Sequence, residues 1–201
     1  NNPLDVTDPM GLDRLVVSGG ITTKSEENDH DKFWGNFIWA ARAQLRHEKS
    51  LLQEGEDLEW LVFRPAYEKR AAAEGLPEDF YTKQIEQFAQ DLGATLRWFD
   101  STKGFVNNVN LDTDGQKRQG PSLIKSLDVF SHGAASTWMF DWGTTEVENF
   151  LIADVEDLLP SAFSTEARCK SWACYTADAL DFYDAKARVL RKNVKLLDEW
   201  K

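Results

Sequence analysis

Two residues in this chain of 201 have the types and the spacing to do covalent chemistry together, His132 and Cys174, which lie 42 positions apart. A cysteine is a useful nucleophile only as a thiolate, which at neutral pH needs a partner to take its proton or stabilise its charge, and an imidazole does both. His132 follows the apolar run Leu127-Asp128-Val129-Phe130-Ser131, and Cys174 follows Arg168-Cys169-Lys170-Ser171-Trp172-Ala173. If both runs are neighbouring strands of a parallel sheet, imidazole and thiol reach the same carboxyl edge, where open α/β sheets hold their ligands. Gly133 adds a further part: with no side chain in the way, its N–H can meet a substrate carbonyl oxygen, and with the N–H of Cys174 it makes a candidate oxyanion hole. A lone His after a strand is more often a surface or hydrogen-bonding residue, and a lone Cys a small core hydrophobe. Only their joint placement, with Gly after the His and Ala before the Cys, points to nucleophilic catalysis. Cys169 is an odd number of residues from Cys174, so in a strand it faces the other way and reads as core.

The surrounding pattern supplies elements that could position such a pair. Short apolar runs at 15–17, 58–63, 95–99, within 123–131 and at 168–173 read as strands; Gly19-Gly20 ends the first and Pro65 closes the second. Helical spacing predicts helices over 31–53, 78–92 (ended by Gly93), 145–159 (stopped by Pro160) and 177–200. Strands separated by such helices imply crossovers and a mostly parallel sheet covered on both faces, an α/β three-layer sandwich. The polar stretch between Phe99 and Pro121 is too long for an ordinary connection and reads as a hairpin or a mobile loop. Trp138, Phe140 and Trp142 alternate as in a strand, and core packing accounts for most of the eight tryptophans.

Composition narrows the function. A net charge of −11 argues against a domain that grips nucleic acid. Lys117-Arg118 sits in a loop-like stretch, while Arg188, Arg191, Lys192 and Lys195 read as a solvated helix face. The three histidines, His30, His47 and His132, lack metal spacing, and no phosphate-binding or dinucleotide-binding glycine motif occurs, so neither a metal nor a cofactor is expected. A Cys169–Cys174 disulfide would have to bend a strand. No apolar run approaches a membrane span, and the first residues lack signal-peptide character, so neither membrane insertion nor self-directed export is expected.

A hydrophobic strand ending in His-Gly, then a helix, then a hydrophobic strand ending in Ala-Cys, resembles the caspase-like cysteine peptidases, here as LDVFSHG at 127–133 and CKSWAC at 169–174. The similarity spans roughly 58–185. It implies a caspase-like fold and a His132/Cys174 dyad in which Cys174 attacks a peptide carbonyl and His132 protonates the leaving amine. The chain departs from that group after the cysteine, where helical sequence stands in place of groove-building strands. Asp128 and Asp141 are candidate recognition or orienting groups, although a solvated loop carboxylate is the commoner state for each. The same Cys-His pair would also suit a deamidase, transglutaminase or acyltransferase, and a non-enzymatic binding module would use both residues structurally.

The first twelve residues, with Asp8, Pro9, Gly11 and Leu12 spaced as Asp-Pro-x-Gly-Leu, resemble the end of the core of RHS-repeat polymorphic toxins. The resemblance implies a linker over 1–12, a toxin domain over 13–201, and cleavage between Leu12 and Asp13 by the RHS shell. It also implies contact-dependent or type VI secretion into a target cell's cytoplasm, a protein substrate there, and a cognate immunity protein as partner.

Overall fold

A computed structural model describes residues 12–24, 31–143 and 148–173. Along the chain come β1 (Asp13–Ser18), β2 (Gly20–Ile21), α1 (Asn36–Ser50), β3 (Leu58–Phe63), α2 (Arg64–Ala73), α3 (Phe80–Leu92), β4 (Thr95–Phe99), α4 (Thr102–Asn110), β5 (Ile124–Phe130), β6 (His132–Ala134), β7 (Thr137–Met139), β8 (Asp141–Trp142), β9 (Asn149–Leu151) and β10 (Phe163–Ser171). Five strands form one sheet in the order β10-β5-β1-β3-β4, and every pairing in it is parallel. The chain winds from β1 outward through β3 to β4, then returns to β5 on the other side of β1 and continues to β10. The expected α/β three-layer sandwich is the observed architecture.

Side-chain alternation assigns the layers. Arg14 reaches Glu48 of α1, whereas its neighbour Asp13 reaches Arg118 beyond α4. Helices α1 and α3 therefore cover one face, α1 burying Phe37, Ile38, Ala41 and Leu45 at helical spacing. Helix α4 and a small antiparallel sheet, β6-β7-β9, cover the other. Under that second layer lies an aromatic core: Phe99 and Phe105 stand 4.9 and 5.0 Å from Phe140, and Trp138 stacks on Phe150 at 5.1 Å. Strands β1 and β3 are buried along their whole length because both of their faces are covered. Gly93 ends α3 in the left-handed conformation, at φ 66°, that glycine reaches without strain.

Several elements depart from the sequence expectation. Helix α1 opens at Asn36, five residues after Asp31. Pro65 does close β3, but it also stands in the first turn of α2, where a missing N–H costs nothing. The polar stretch after Phe99 holds helix α4 over Thr102–Asn110 where a strand or loop is expected, and then a loop whose Asp114-Gly115 turn is closed by an antiparallel bridge between Leu111 and Lys117. Ser101 caps the helix by accepting from Gly104 N–H, and Phe105, Val106 and Val109 form a buried stripe. The helix expected over 145–159 is replaced by β9 and a 3-10 turn, Ile152–Asp157. Pairing of Phe150 with Trp138 draws this segment into the small sheet, and the Asn110 side chain fixes the turn by donating to the Asp157 carbonyl at 2.8 Å. Strand β10 starts at Phe163, earlier than expected. The helix expected over 177–200 lies outside the described residues.

The loop residue Arg118 is not solvated. It is buried at the amino end of the sheet, donating to Asp13, to Glu59 at 2.8 Å, and to the carbonyls of Val109, Ser122 and Asn108. Arg97 adds a second guanidinium 2.7 Å from Glu59. The loop-like reading of Lys117-Arg118 holds, but the surface-like composition Gln116-Lys117-Arg118-Gln119 conceals a partner set drawn from three distant elements.

Candidate functional site

In a doubly wound sheet the ligand crevice opens outside the carboxyl ends of the two strands where the winding reverses. Those strands are β1 and β5. Beyond β1 the backbone runs through Gly19 and Gly20, packed so closely that a Cβ on Gly20 would sit 2.5 Å from that of Ala66. Gly19 N–H donates to Phe130 O, and Tyr67 hydroxyl donates to Gly19 O at 2.6 Å, so this corner of the crevice is rigidly built.

Beyond β5 come Ser131 and His132. His132 is the first residue of β6, one step past the expected strand end, and its backbone pairs with Met139 across the hairpin. The imidazole is largely enclosed, edge-on to Phe37 of α1 at 5.0 Å and tilted against Trp142 at 4.8 Å. Its Nε2 lies 3.5 Å from Asp31 Oδ1. Asp31 is buried, and its Oδ2 accepts from the Trp142 indole N–H at 3.2 Å. Gly133 follows on β6 opposite Trp138.

Strand β10 lies beside β5 with Ser171 opposite Val129, and Trp172 N–H donates to Val129 O at 2.8 Å. Strands β5, which leads to His132, and β10, which leads to Cys174, are thus adjacent and parallel, in regular register over Arg168–Ser171, and they end at one edge. Trp138 ties them together: from the hairpin that begins with His132, its indole N–H donates to Ser171 Oγ at 2.9 Å. Cys174 lies outside the described residues. Cys169 is partly buried against the hydrophobic core.

Neither aspartate singled out earlier is a solvated loop carboxylate. Asp128 is buried within β5, accepting from the Trp172 indole at 3.0 Å and from Gln44 of α1 at 3.2 Å, and burial pushes its carboxyl above the usual range. It borders a polar cleft of about 440 Å³ on the α1 face, together with Arg14, Lys125, Arg168 and Lys170. Asp141 is fully buried in β8, alongside Gly20, and pairs with Lys69 of α2 at 2.9 Å. At the far end of the sheet Leu12 precedes β1 and Asp13 opens it, with Asp13 N–H donating to Leu123 O; residues 1–11 lie outside the described part.

The sequence reading misses Asp31 and the role of Trp142. Asp31 reads, with Asn28 and Asp29, as a candidate helix cap, and nothing in its local sequence couples it to a histidine so far along the chain. Among the described residues no group of His, Cys, Asp and Glu could hold a metal ion, and no helix is long and apolar enough to cross a membrane. No protein-family model, curated protein or solved structure matches the chain.

Proposed function

We propose that this chain is a cysteine peptidase using a His132/Cys174 dyad, and that it is the toxin cargo of an RHS-repeat protein acting on a protein of the target cell. The observation that carries the catalytic reading is the adjacency of β5 and β10. Their in-step carboxyl ends meet beside the winding reversal, and the histidine there is enclosed by two aromatic rings and faced by a carboxylate.

In this reading the Cys174 thiol gives its proton to the His132 imidazole, and the thiolate forms a C–S bond to the substrate carbonyl carbon as the carbonyl π pair moves onto oxygen. The N–H groups of Gly133 and Cys174 stabilise that oxyanion. Collapse breaks the C–N bond, and the imidazolium proton leaves with the amine. Water, deprotonated by the imidazole, then hydrolyses the thioester and restores the thiol. Toxin delivery, an immunity partner and the Leu12–Asp13 cut rest on the resemblance of residues 1–12; a cut there leaves β1 whole, since the strand opens at Asp13.

The test is expression of the chain and of Cys174→Ala and His132→Ala in susceptible cells, with mass spectrometry of their proteins. Growth arrest and new peptide termini should accompany the parent and be absent from both variants. Undiminished toxicity of Cys174→Ala would sink the reading, and mass shifts on Gln or Lys without cleavage would replace the peptidase by another acyl-transfer enzyme.

A further inference from the structure

We propose that a strip of aromatic rings along the seam of α1 and α3, ending at Arg42, is the docking surface for a polypeptide partner whose contact segment sets an aspartate or glutamate among apolar side chains. The inference is independent of the His132/Cys174 reading. Five rings lead from one to the next: Phe80 to Tyr81 at 5.2 Å, Tyr81 stacked on Trp34 at 4.2 Å, Trp34 to Trp39 at 6.2 Å, and Trp39 to Phe88 at 5.5 Å. Trp39 belongs to α1 and Trp34 shortly precedes it, while the other three rings come from α3, so the strip bridges two elements. Trp39 is 48% and Phe80 42% exposed. At the end of the strip the Arg42 guanidinium lies 3.7 Å from the Phe88 ring centroid and 5.0 Å from that of Trp39.

Single apolar side chains on a surface are ordinary, but contiguous aromatics with a stacked arginine have the composition of the centre of a protein–protein interface. The strip is also ordered in advance. The Trp39 indole lies so close over Gly35 that a Cβ there would sit 2.5 Å from its Nε1, and the rings brace one another, so little side-chain freedom is left to lose on binding. Charge indicates what covers it. Burial disfavours the charged form of Arg42, Arg46 adds repulsion, and Asp91 only partly opposes them. The Arg42 Nε is sealed without a hydrogen-bond partner, and among the described residues no carboxylate stands at ion-pair distance from this guanidinium. Helix α1 has one acid, Glu48, which Arg14 holds on the buried side, so Arg42 and Arg46 leave the α1 bank of the seam positive in a chain of net charge −11. A carboxylate brought to Arg42 supplies the missing counter-charge in a partly desolvated setting, where such a pair is strong. Apolar neighbours in the same segment then cover Trp39 and Phe80. A nucleic-acid backbone fits poorly, because Glu86 and Asp91 on the α3 bank repel its successive phosphates.

The experiment selects displayed random short peptides on the immobilised full chain, then titrates the enriched peptides, carrying a fluorophore, with parent, Trp39→Ala, Arg42→Gln and Arg42→Glu chains by fluorescence anisotropy. The enriched peptides should share an Asp or Glu beside Leu, Phe or Trp. Trp39→Ala and Arg42→Gln should each weaken them by about tenfold or more. Exchanging the peptide's acid for Lys should abolish binding to the parent and restore it to Arg42→Glu, a gain that only a folded variant can show. Failure to enrich any peptide overturns the proposal, and so do peptides that bind the variants as they bind the parent. An oligothymidylate probe that binds the parent and is lost by both Trp39→Ala and Arg42→Gln would assign the strip to nucleic acid instead. A dimer in analytical ultracentrifugation that Trp39→Ala dissolves would assign it to a second copy of the chain.

Discussion

At the amino end of the central sheet the Arg118 guanidinium is sealed from solvent, and Asp13, Glu59 and three backbone carbonyls satisfy it. At the carboxyl end His132 is partly accessible, and among its neighbours are the Asp31 carboxylate at ion-pair distance and the rings of Phe37 and Trp142. Both are cationic or potentially cationic side chains brought to an acid by chain crossing. The difference is in what remains possible afterward. A fixed charge with every donor used can only hold elements together, whereas a titratable ring can still exchange a proton. Buried charge by itself is therefore a poor pointer to chemistry, and the distinction rests on whether capacity is left over.

Breaking the amino end should cost the most. Arg118→Ala leaves Asp13 and Glu59 buried without their shared cation, and urea denaturation should show a loss of about 3–5 kcal/mol; a loss below about 1 kcal/mol would mean that the network is wet and the contrast between the ends false. Next comes Gly20→Ala, whose Cβ collides with Ala66 at 2.5 Å. Overpacking there should cost about 1–3 kcal/mol and, by shifting the floor of the crevice, slow Cys174 alkylation as well. His132→Ala should change stability by only about 1 kcal/mol while abolishing any alkylation enhancement, which sharpens the contrast from the other side.

The smallest effect is in pH dependence. Burial, reinforced by Glu59 and opposed by Arg118, pushes the Asp13 carboxyl up to about 7 from an ordinary 3.8. The folded state then binds the proton more tightly than the unfolded chain between those values, so this group's contribution to stability falls as pH rises through that window. Asp13→Asn should remove that slope, gaining on the parent as pH goes from acid to neutral. Paired denaturation series at the two pH values would show it, and a parent that instead gains stability relative to the variant on the way up contradicts the assigned direction.

Legibility from sequence followed how local the cause was. Strands β3 and β4 begin and end where their apolar runs do; in β3, burial on both faces imprints itself on consecutive residues. The strand leading to His132 was recognisable for the same reason, and the placement of its end beside that of β10 followed from the parallel order. Helix α4 was not, since six of its nine residues are polar or glycine and its register is set by Phe105 meeting an aromatic core that other elements supply. The stretch around Phe150 reads as a helix until its cross-strand partner Trp138 is known. Asp31 lay beyond reach for a stronger reason: its partners, His132 and Trp142, are brought to it only by the completed winding of the sheet.

The small sheet β6-β7-β9 has a kinetic corollary. Side chains along a strand alternate between faces, so a one-residue slip of this hairpin would turn His132 to the other side and pull Trp138 from its stack on Phe150. The imidazole therefore cannot wander by loop breathing. It should leave its place only when the hairpin unzips as a cooperative unit, and through the Trp138–Ser171 bond that unit includes the end of β10. Backbone amides of β7 and of the last residues of β10 should thus exchange with solvent together, with the two strands behaving as one mechanical part.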